Sequence, residues 1–225
     1  MDDADTQERL SATRQYLDAQ TVDAAVACAR EAHRFVDEII AYMRPGIRES
    51  DVRQFALDCF ARDGIERTWH APYVRFGENT LLTFREKATE DRVLGTSDIA
   101  FVDIGIVRNG IEGDAGRSVV YGEAPELKKL AAISQHIFTQ ARTFWHREQP
   151  TGIALYAHIY DLAERLGVDW NLEPAGHLIG AFPHRGWKRG INHYPERVEA
   201  GKWILEIQVR HKHLPYGAFF EDLLI

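Results

Sequence analysis

Apolar side chains in the first third of the chain recur with the period of an α-helix. Residues 5–18 are polar with scattered apolar positions, which predicts a short amphipathic helix. From Val22 to Met43 the apolar residues follow one another at steps of three and four, and Pro45-Gly46 ends this stripe. A third helix is predicted from Ser50 to Gly64, because serine commonly begins a helix and glycine commonly ends one.

The pattern then changes to short apolar runs that are typical of β-strands. Strands are predicted at Tyr73–Phe76 and at Ile99–Val107. The turn residues Arg108-Asn109-Gly110 follow the second run, and Arg117–Tyr121 is its predicted hairpin partner. The middle of the chain therefore contributes at least one hairpin.

The last hundred residues return to helices and end in strands. Helices are predicted from Pro125 to Trp145 and from Thr151 to Gly167. Strands follow at Trp203–His211 and Ala218–Ile225, with a turn between them at Pro215-Tyr216-Gly217. Late hairpins without crossover helices favour an α+β fold with a mixed or antiparallel sheet over a doubly wound parallel fold. Since no shift of composition marks a linker, we expect one domain over residues 1–225, with residues 1–21 as a short helical extension.

Composition and charge narrow the function classes. Of the 225 residues 45% are hydrophobic and 27% charged, as in an ordinary globular protein, and the net charge of −7 argues against non-specific nucleic-acid binding. No apolar run approaches the roughly 20 residues that a membrane helix needs. The amino end is acidic and polar, unlike a secretory signal, so we expect a cytoplasmic protein without nucleic-acid or membrane partners.

The two cysteines, Cys28 and Cys59, both fall in helical, half-apolar segments. Such sparse use indicates a reducing compartment and small buried side chains, with a disulfide between them as the alternative.

Four carboxylates interrupt apolar strands or follow them closely: Asp103, Asp114, Glu206 and Glu221. A single strand carboxylate usually lies on a solvated face or in a salt bridge, and a buried one needs a partner. The strands carry too few Lys or Arg residues to neutralise all four. Divalent metal ions would do so.

His177 adds a nitrogen donor between Gly176 and Gly180, where the backbone can approach closely. Four carboxylates and one histidine suit ions such as Mn, Co, Fe or Zn. Two such ions about 3.5–4 Å apart are a common arrangement for activating water and polarising a carbonyl group.

The chain resembles the superfamily of methionine aminopeptidase, aminopeptidase P, prolidase and creatinase. The order Asp, Asp, His, Glu, Glu and the eleven-residue step between the aspartates match its pattern, from about Val22 to Ile225. The matching segments are Phe101–Gly105, Gly113–Ser118, Gly176–Gly180, Leu205–Ile207 and Phe220–Asp222. The resemblance implies the pita-bread fold, a curved and mostly antiparallel sheet flanked by helices, closest in style to the catalytic domains of Xaa-Pro aminopeptidases or dipeptidases. The creatinase-like amino-terminal domain of prolidase and aminopeptidase P has no counterpart in this sequence.

The resemblance also implies a role for each predicted ligand. Asp103 would bind one metal ion and His177 the other, while Asp114 and Glu221 would bridge both. Glu206 would be a ligand and would also accept the proton of the attacking water.

Three further residues are predicted to contact the substrate. His184, seven residues after His177, matches the superfamily's second histidine, which contacts the substrate or its tetrahedral intermediate. Phe84 stands where the superfamily usually has a histidine that contacts the substrate amide, which indicates a pocket that accommodates apolar groups. His70 is a candidate substitute for that missing contact, although it comes earlier in the sequence than the pattern requires.

The resulting prediction is a dinuclear metal-dependent hydrolase that cleaves an amide bond near the amino terminus of a short peptide, with Xaa-Pro bonds as candidates. The first alternative is the same fold acting on a non-peptide amide or C–N bond, which the Phe84 departure suggests. The second is a catalytically inactive binding module, but such a module would be expected to have lost metal ligands, and all five are present. The superfamily and the apolar stripe of the amino-terminal helices also favour a homodimer.

Overall fold

Helices and strands alternate in blocks along the part of the chain that the structure, a computed structural model, describes: residues 3–18, 22–171, 175–184 and 186–225. Residues 1–2 and 19–21 of the predicted extension lie outside this part. The helices are α1 (Asp3–Asp18), α2 (Val22–Tyr42), α3 (Glu49–Arg62), α4 (Pro125–Glu148) and α5 (Gly152–Arg165). The strands are β1 (Arg67–Thr68), β2 (Tyr73–Phe76), β3 (Asp98–Arg108), β4 (Ile111–Tyr121), β5 (Asp169–Trp170), β6 (His177–Leu178), β7 (Trp203–Arg210) and β8 (Gly217–Leu223).

The strands form one sheet in the order β1-β3-β4-β8-β7-β5, with β2 also paired to β3 and β6 to β7. Every pairing between the described strands is antiparallel. The α+β class is therefore confirmed, in its antiparallel form.

The β3–β4 hairpin is longer than the sequence pattern predicted. Its two-residue turn holds Asn109 at φ 52° and Gly110 at φ 71°, the left-handed geometry that suits a tight hairpin. Strand β4 begins at Ile111 rather than at Arg117, so Asp114 lies inside the strand. The acidic and glycine residues among positions 112–116 hid this extension, because they break the apolar pattern of a strand.

The apolar neighbours of the carboxylates in strands β3 and β7 pack against helices. Val102 and Ile104 belong to the same core cluster as Phe35 of α2. Leu205 and Ile207 pack in the cluster that contains residues of α4 and α5. Because successive side chains of a strand point to opposite faces, the intervening Asp103 and Glu206 point away from these helices.

The apolar stripe of α2 is buried within the chain itself, including Cys28, Ala32 and Phe35. It therefore gives the predicted homodimer no support. Both cysteines are buried free thiols, as expected. None of the described helices is long and apolar enough to cross a membrane.

Candidate metal centre and active site

The four strand carboxylates come from four strands that are neighbours in the sheet. Glu206 lies directly opposite Glu221 across the β7–β8 pair. Gly116 of β4 is the pairing partner of both Asp103 and Glu221. Each carboxylate residue is at most 9% exposed. The structure thus brings together four negative groups that the sequence separates by up to 118 positions.

His177 lies on β6 and faces the same group of carboxylates. Its Nε2 atom is 3.0 Å from Oδ2 of Asp114. Its Nδ1 atom is 2.9 Å from the carbonyl oxygen of Leu178, which orients the ring. The short β6–β7 pairing, His177 opposite Ile204, places this histidine beside the strand that carries Glu206.

His70 also reaches the carboxylates, although the sequence suggested only a contact with the substrate. Strand β1 pairs with the far end of β3, and the backbone N–H of Trp69 donates to the carbonyl of Gly105 at 3.2 Å. This pairing places His70 Nε2 at 3.4 Å from Asp103 Oδ1 and 3.5 Å from Asp114 Oδ1. A Cβ atom at Gly105 would lie 2.1 Å from Trp69 Nε1 and 2.4 Å from His70 Cδ2, so any other residue at this position would force these two side chains to shift.

His184 is held by a carboxylate that the sequence analysis missed. Its Nδ1 atom is 2.8 Å from Oε2 of Glu112, and its backbone N–H donates to Oε1 of Glu112 at 3.1 Å. Glu112 is 1% exposed and lies two positions before Asp114, on the same face of β4. The spacing Glu112-Gly-Asp114 was the available signal, but the predicted strand started too late to include it.

The four strand carboxylates and the side chains of His70, His177 and His184 line one cavity of about 440 Å³. Phe84, 49% exposed, lies in its wall together with the aromatic rings of Trp69, Tyr73 and Trp187. Lys188 also faces the cavity, and so does Arg189. The lining of the cavity therefore combines acidic, aromatic and basic side chains.

Burial and mutual repulsion oppose ionisation of most of the carboxylates. Burial, followed by the charges of Asp103 and Asp114, raises the pKa of Glu206 and that of Glu221 well above the usual range. Burial also raises the pKa of Asp103, to about 6, although the positive charge of His70 opposes the shift.

Asp114 is the exception, because two imidazoles face it. Burial alone would raise its pKa, but hydrogen bonds with His177 and His70 outweigh burial and lower the pKa. Burial would likewise lower the pKa of His70, yet the charges of Asp103 and Asp114 dominate and raise it to about 9. The same balance, led by Asp114, raises the pKa of His177.

The donor atoms fit divalent metal ions. Among the described residues they form two groups, His70–Asp103–Asp114 and Asp114–His177–Glu221, and within each group one donor atom per residue lies within 4.8 Å of the others. Oδ1 of Asp103 and Oε1 of Glu221 are buried and accept no hydrogen bond from the described residues. Such oxygens are costly unless a cation compensates them. Glu206 belongs to neither group, but it lines the same cavity.

Known structures share this fold. The Xaa-Pro dipeptidase from Bacillus anthracis superposes with a TM-score of 0.74 at 19% identity, over 92% of this chain and 59% of its own. The prolidase from Pyrococcus furiosus superposes with a TM-score of 0.72 at 18% identity, over 89% of this chain and 60% of its own. The X-Pro aminopeptidase from Thermotoga maritima MSB8 superposes with a TM-score of 0.73 at 18% identity, over 98% of this chain and 61% of its own. This chain thus spans about three fifths of the length of these proteins, and the predicted pita-bread fold is confirmed.

No curated protein matches the chain by sequence. The model of metallopeptidase family M24, however, matches residues 22–225, the same range over which the motifs resemble the superfamily. A match of this extent, together with the fold, confirms the resemblance: the chain belongs to metallopeptidase family M24.

Proposed function

We propose that this protein is a dinuclear metal-dependent peptidase that cleaves the amide bond nearest the amino end of a short peptide. The observation that carries the proposal is the pair of donor groups that share Asp114. One shared carboxylate between two donor groups is the arrangement needed to hold two ions close together.

Each site residue has a role in this reaction. The two ions, which would polarise the substrate carbonyl and lower the pKa of the attacking water, would be held by Asp103, Asp114, His177, Glu206 and Glu221. Glu206 faces Glu221 across the strands and would accept the proton of that water. Since Nδ1 of His184 is engaged by Glu112, its Nε2 atom is the nitrogen available to a substrate.

The cavity supports a short peptide as the substrate. Its volume of about 440 Å³ is in the range of small-ligand sites. Lys188 and Arg189 supply positive charge that suits a free carboxylate, while Trp69 and Phe84 supply an apolar wall. Because the structures that share this fold include Xaa-Pro dipeptidases, dipeptides with proline in the second position are the first substrates to test.

The test is a set of matched peptides assayed with Mn and with Co. Ala-Pro, Ala-Ala and Ala-Pro amide separate a need for proline from a need for the carboxylate. Hydrolysis of any of the three supports the peptidase. A metal-loaded protein that turns over none of them refutes it.

Phe84 favours a second candidate function, hydrolysis of a non-peptide amide or C–N bond. Its half-exposed ring occupies a wall position where the superfamily usually carries a histidine. The variant Phe84→His should raise kcat/KM for peptides if this protein is a peptidase that lacks one contact. Phe84→Leu is the matched control, because it removes the ring without adding a nitrogen.

The metal ligands can be tested apart from activity. Asp114→Ala should lower the metal content found by elemental analysis, since both donor groups lose a member. Unchanged stoichiometry would remove Asp114 from the ligand set. Homodimer formation and a cytoplasmic location remain predictions, the first testable by light scattering on purified protein.

A further inference from the structure

His70 lies against two of the predicted ligands. Its Nε2 atom is 3.4 Å from Asp103 Oδ1 and 3.5 Å from Asp114 Oδ1. Two donors bound to one ion at about 2.0–2.2 Å are separated by roughly 3.0–3.5 Å. A strong hydrogen bond to a carboxylate is shorter, at about 2.7–2.9 Å. The observed separations therefore suit two donors of a common ion better than a direct ion pair.

The ring of His70 is oriented in the same way as that of His177. Nδ1 of His70 is 2.8 Å from the carbonyl oxygen of Ala71, and Nδ1 of His177 is 2.9 Å from that of Leu178. Such a contact assigns the proton of a neutral imidazole to Nδ1 and leaves Nε2 free to bind a metal. In both residues Nε2 is then the atom that faces Asp114.

Asp114 lies between the two imidazoles. Its Oδ1 atom faces His70, and its Oδ2 atom is 3.0 Å from His177. The ring of Trp69 packs against both, with centroids 4.6 Å from His70 and 4.8 Å from His177. The bridging carboxylate thus has one imidazole for each of its oxygens.

We propose that His70 is a sixth protein ligand, which binds the ion on the Asp103 side. The inference rests on the proposed dinuclear centre and extends it, because each ion then has one imidazole donor. Nitrogen donors on both ions favour Zn, Co or Fe over Mn, which prefers oxygen donors. Gly105 is the position that admits this ligand, because any side chain there would displace Trp69 and His70.

The test is zinc titration of metal-stripped protein, followed by calorimetry and elemental analysis. Wild type should bind two ions, and His70→Ala should bind one of them at least 10–100-fold more weakly. His184→Ala is the matched control: His184 also lines the cavity and packs on Trp69, at a centroid distance of 5.9 Å, but it belongs to neither donor group. This control should bind both ions as wild type does.

Two results would overturn the proposal or its basis, and they are distinguishable. A folded His70→Ala protein with two ions of unchanged affinity refutes the ligand role alone. Wild type that binds fewer than two ions refutes the dinuclear centre on which it rests.

A measurement on wild type keeps the proposal testable should His70→Ala not fold. X-ray absorption of the Zn-loaded or Co-loaded protein counts imidazole donors. About one imidazole per ion supports His70 together with His177. About one imidazole for every two ions, with His177 as the only nitrogen ligand, refutes the proposal.

Discussion

The two hairpins that build the site, β3–β4 and β7–β8, each supply two carboxylates but surround them differently. In β7–β8, Glu206 and Glu221 face one another directly across the strands. In β3–β4, by contrast, Asp103 is paired with Gly116, and Asp114 with Gly105. In β3–β4, each aspartate therefore lies opposite a glycine, which has no side chain, and not opposite a second carboxylate.

The glycines of β3–β4 admit partners that β7–β8 lacks. Gly105 leaves room for Trp69 and His70, and the two imidazoles that face Asp114 lower its pKa. Within the described part of the chain, neither Glu206 nor Glu221 forms an ion pair with a basic side chain. Burial raises the pKa of both glutamates instead. In β3–β4 the protein itself stabilises the charge of Asp114, whereas the two glutamates of β7–β8 have only the proposed cations to neutralise them.

The largest expected effect comes from the β7–β8 hairpin. Glu206→Gln removes the proposed proton acceptor while keeping the volume of the side chain, and should lower kcat by about 10²–10⁴-fold. Steady-state kinetics on the metal-loaded variant measures this. Because Glu206 belongs to neither compact donor group, most of the metal should remain bound.

Two outcomes would contradict this assignment. Full turnover in Glu206→Gln would exclude Glu206 as the base. Loss of both ions at unchanged fold would show that Glu206 acts chiefly as a ligand.

The next effect tests the glycines of β3–β4. A Cβ atom at Gly116 would lie 2.6 Å from Phe219 Cε1, 2.8 Å from Glu221 Oε1 and 3.0 Å from a backbone oxygen. Gly116→Ala should therefore destabilise the fold by about 1–3 kcal/mol and reduce metal content. Gly95→Ala is the matched control, since the three atoms nearest to its new Cβ all belong to Asp98 and lie at ordinary contact distances of 3.4 Å and above.

Thermal unfolding and elemental analysis measure both variants. If Gly116→Ala and Gly95→Ala have the same Tm and the same metal content, the close approach of neighbouring atoms to Gly116 has no importance for the site.

A smaller effect is expected at Glu112, the residue of β4 that orients the predicted substrate contact His184. Glu112→Gln keeps the size of the side chain but weakens its hold on Nδ1 of His184. We expect kcat to fall about 10–100-fold, with metal affinity unchanged, because His184 would lose its fixed orientation. His184→Ala should lower kcat by a similar factor, and the double variant should add little. Additive losses would show that Glu112 acts independently of His184.

The sequence predicted the secondary-structure elements and the five side chains that meet in the cavity better than it predicted the partners of those side chains. Asp103 and Glu206 were recognisable because each interrupts an apolar strand, and their order along the chain matched a known pattern. Glu112 was missed because glycines beside it hid the start of β4. The position of His70 depends on the pairing of β1 with β3, a contact between residues about 40 apart that no local pattern reveals.

The smallest expected effect tests the comparison most directly, since it predicts opposite signs for the two hairpins. In protein treated with EDTA at pH 8, Glu221→Gln should raise Tm, because it removes the free-energy cost of burying a carboxyl group whose pKa is raised well above the usual range. Asp114→Asn should lower Tm, because it removes a charge that both histidines stabilise. A change of about 1 kcal/mol corresponds to roughly 2–4 °C in a chain of this size.

The dependence on pH gives these signs a second check. The stability that Glu221 contributes is present below its unfolded pKa of about 4.3 and is lost as pH rises through the raised folded pKa, so the gain from Glu221→Gln should be larger at pH 8 than at pH 5. Asp114 has a lowered folded pKa, so its contribution is present above an unfolded pKa of about 3.9 and the loss in Asp114→Asn should persist at both pH values. Equal decreases of Tm in the two variants would show that the protein stabilises Glu221 as well as it stabilises Asp114. Cations would then not be needed to stabilise the carboxylates of β7–β8.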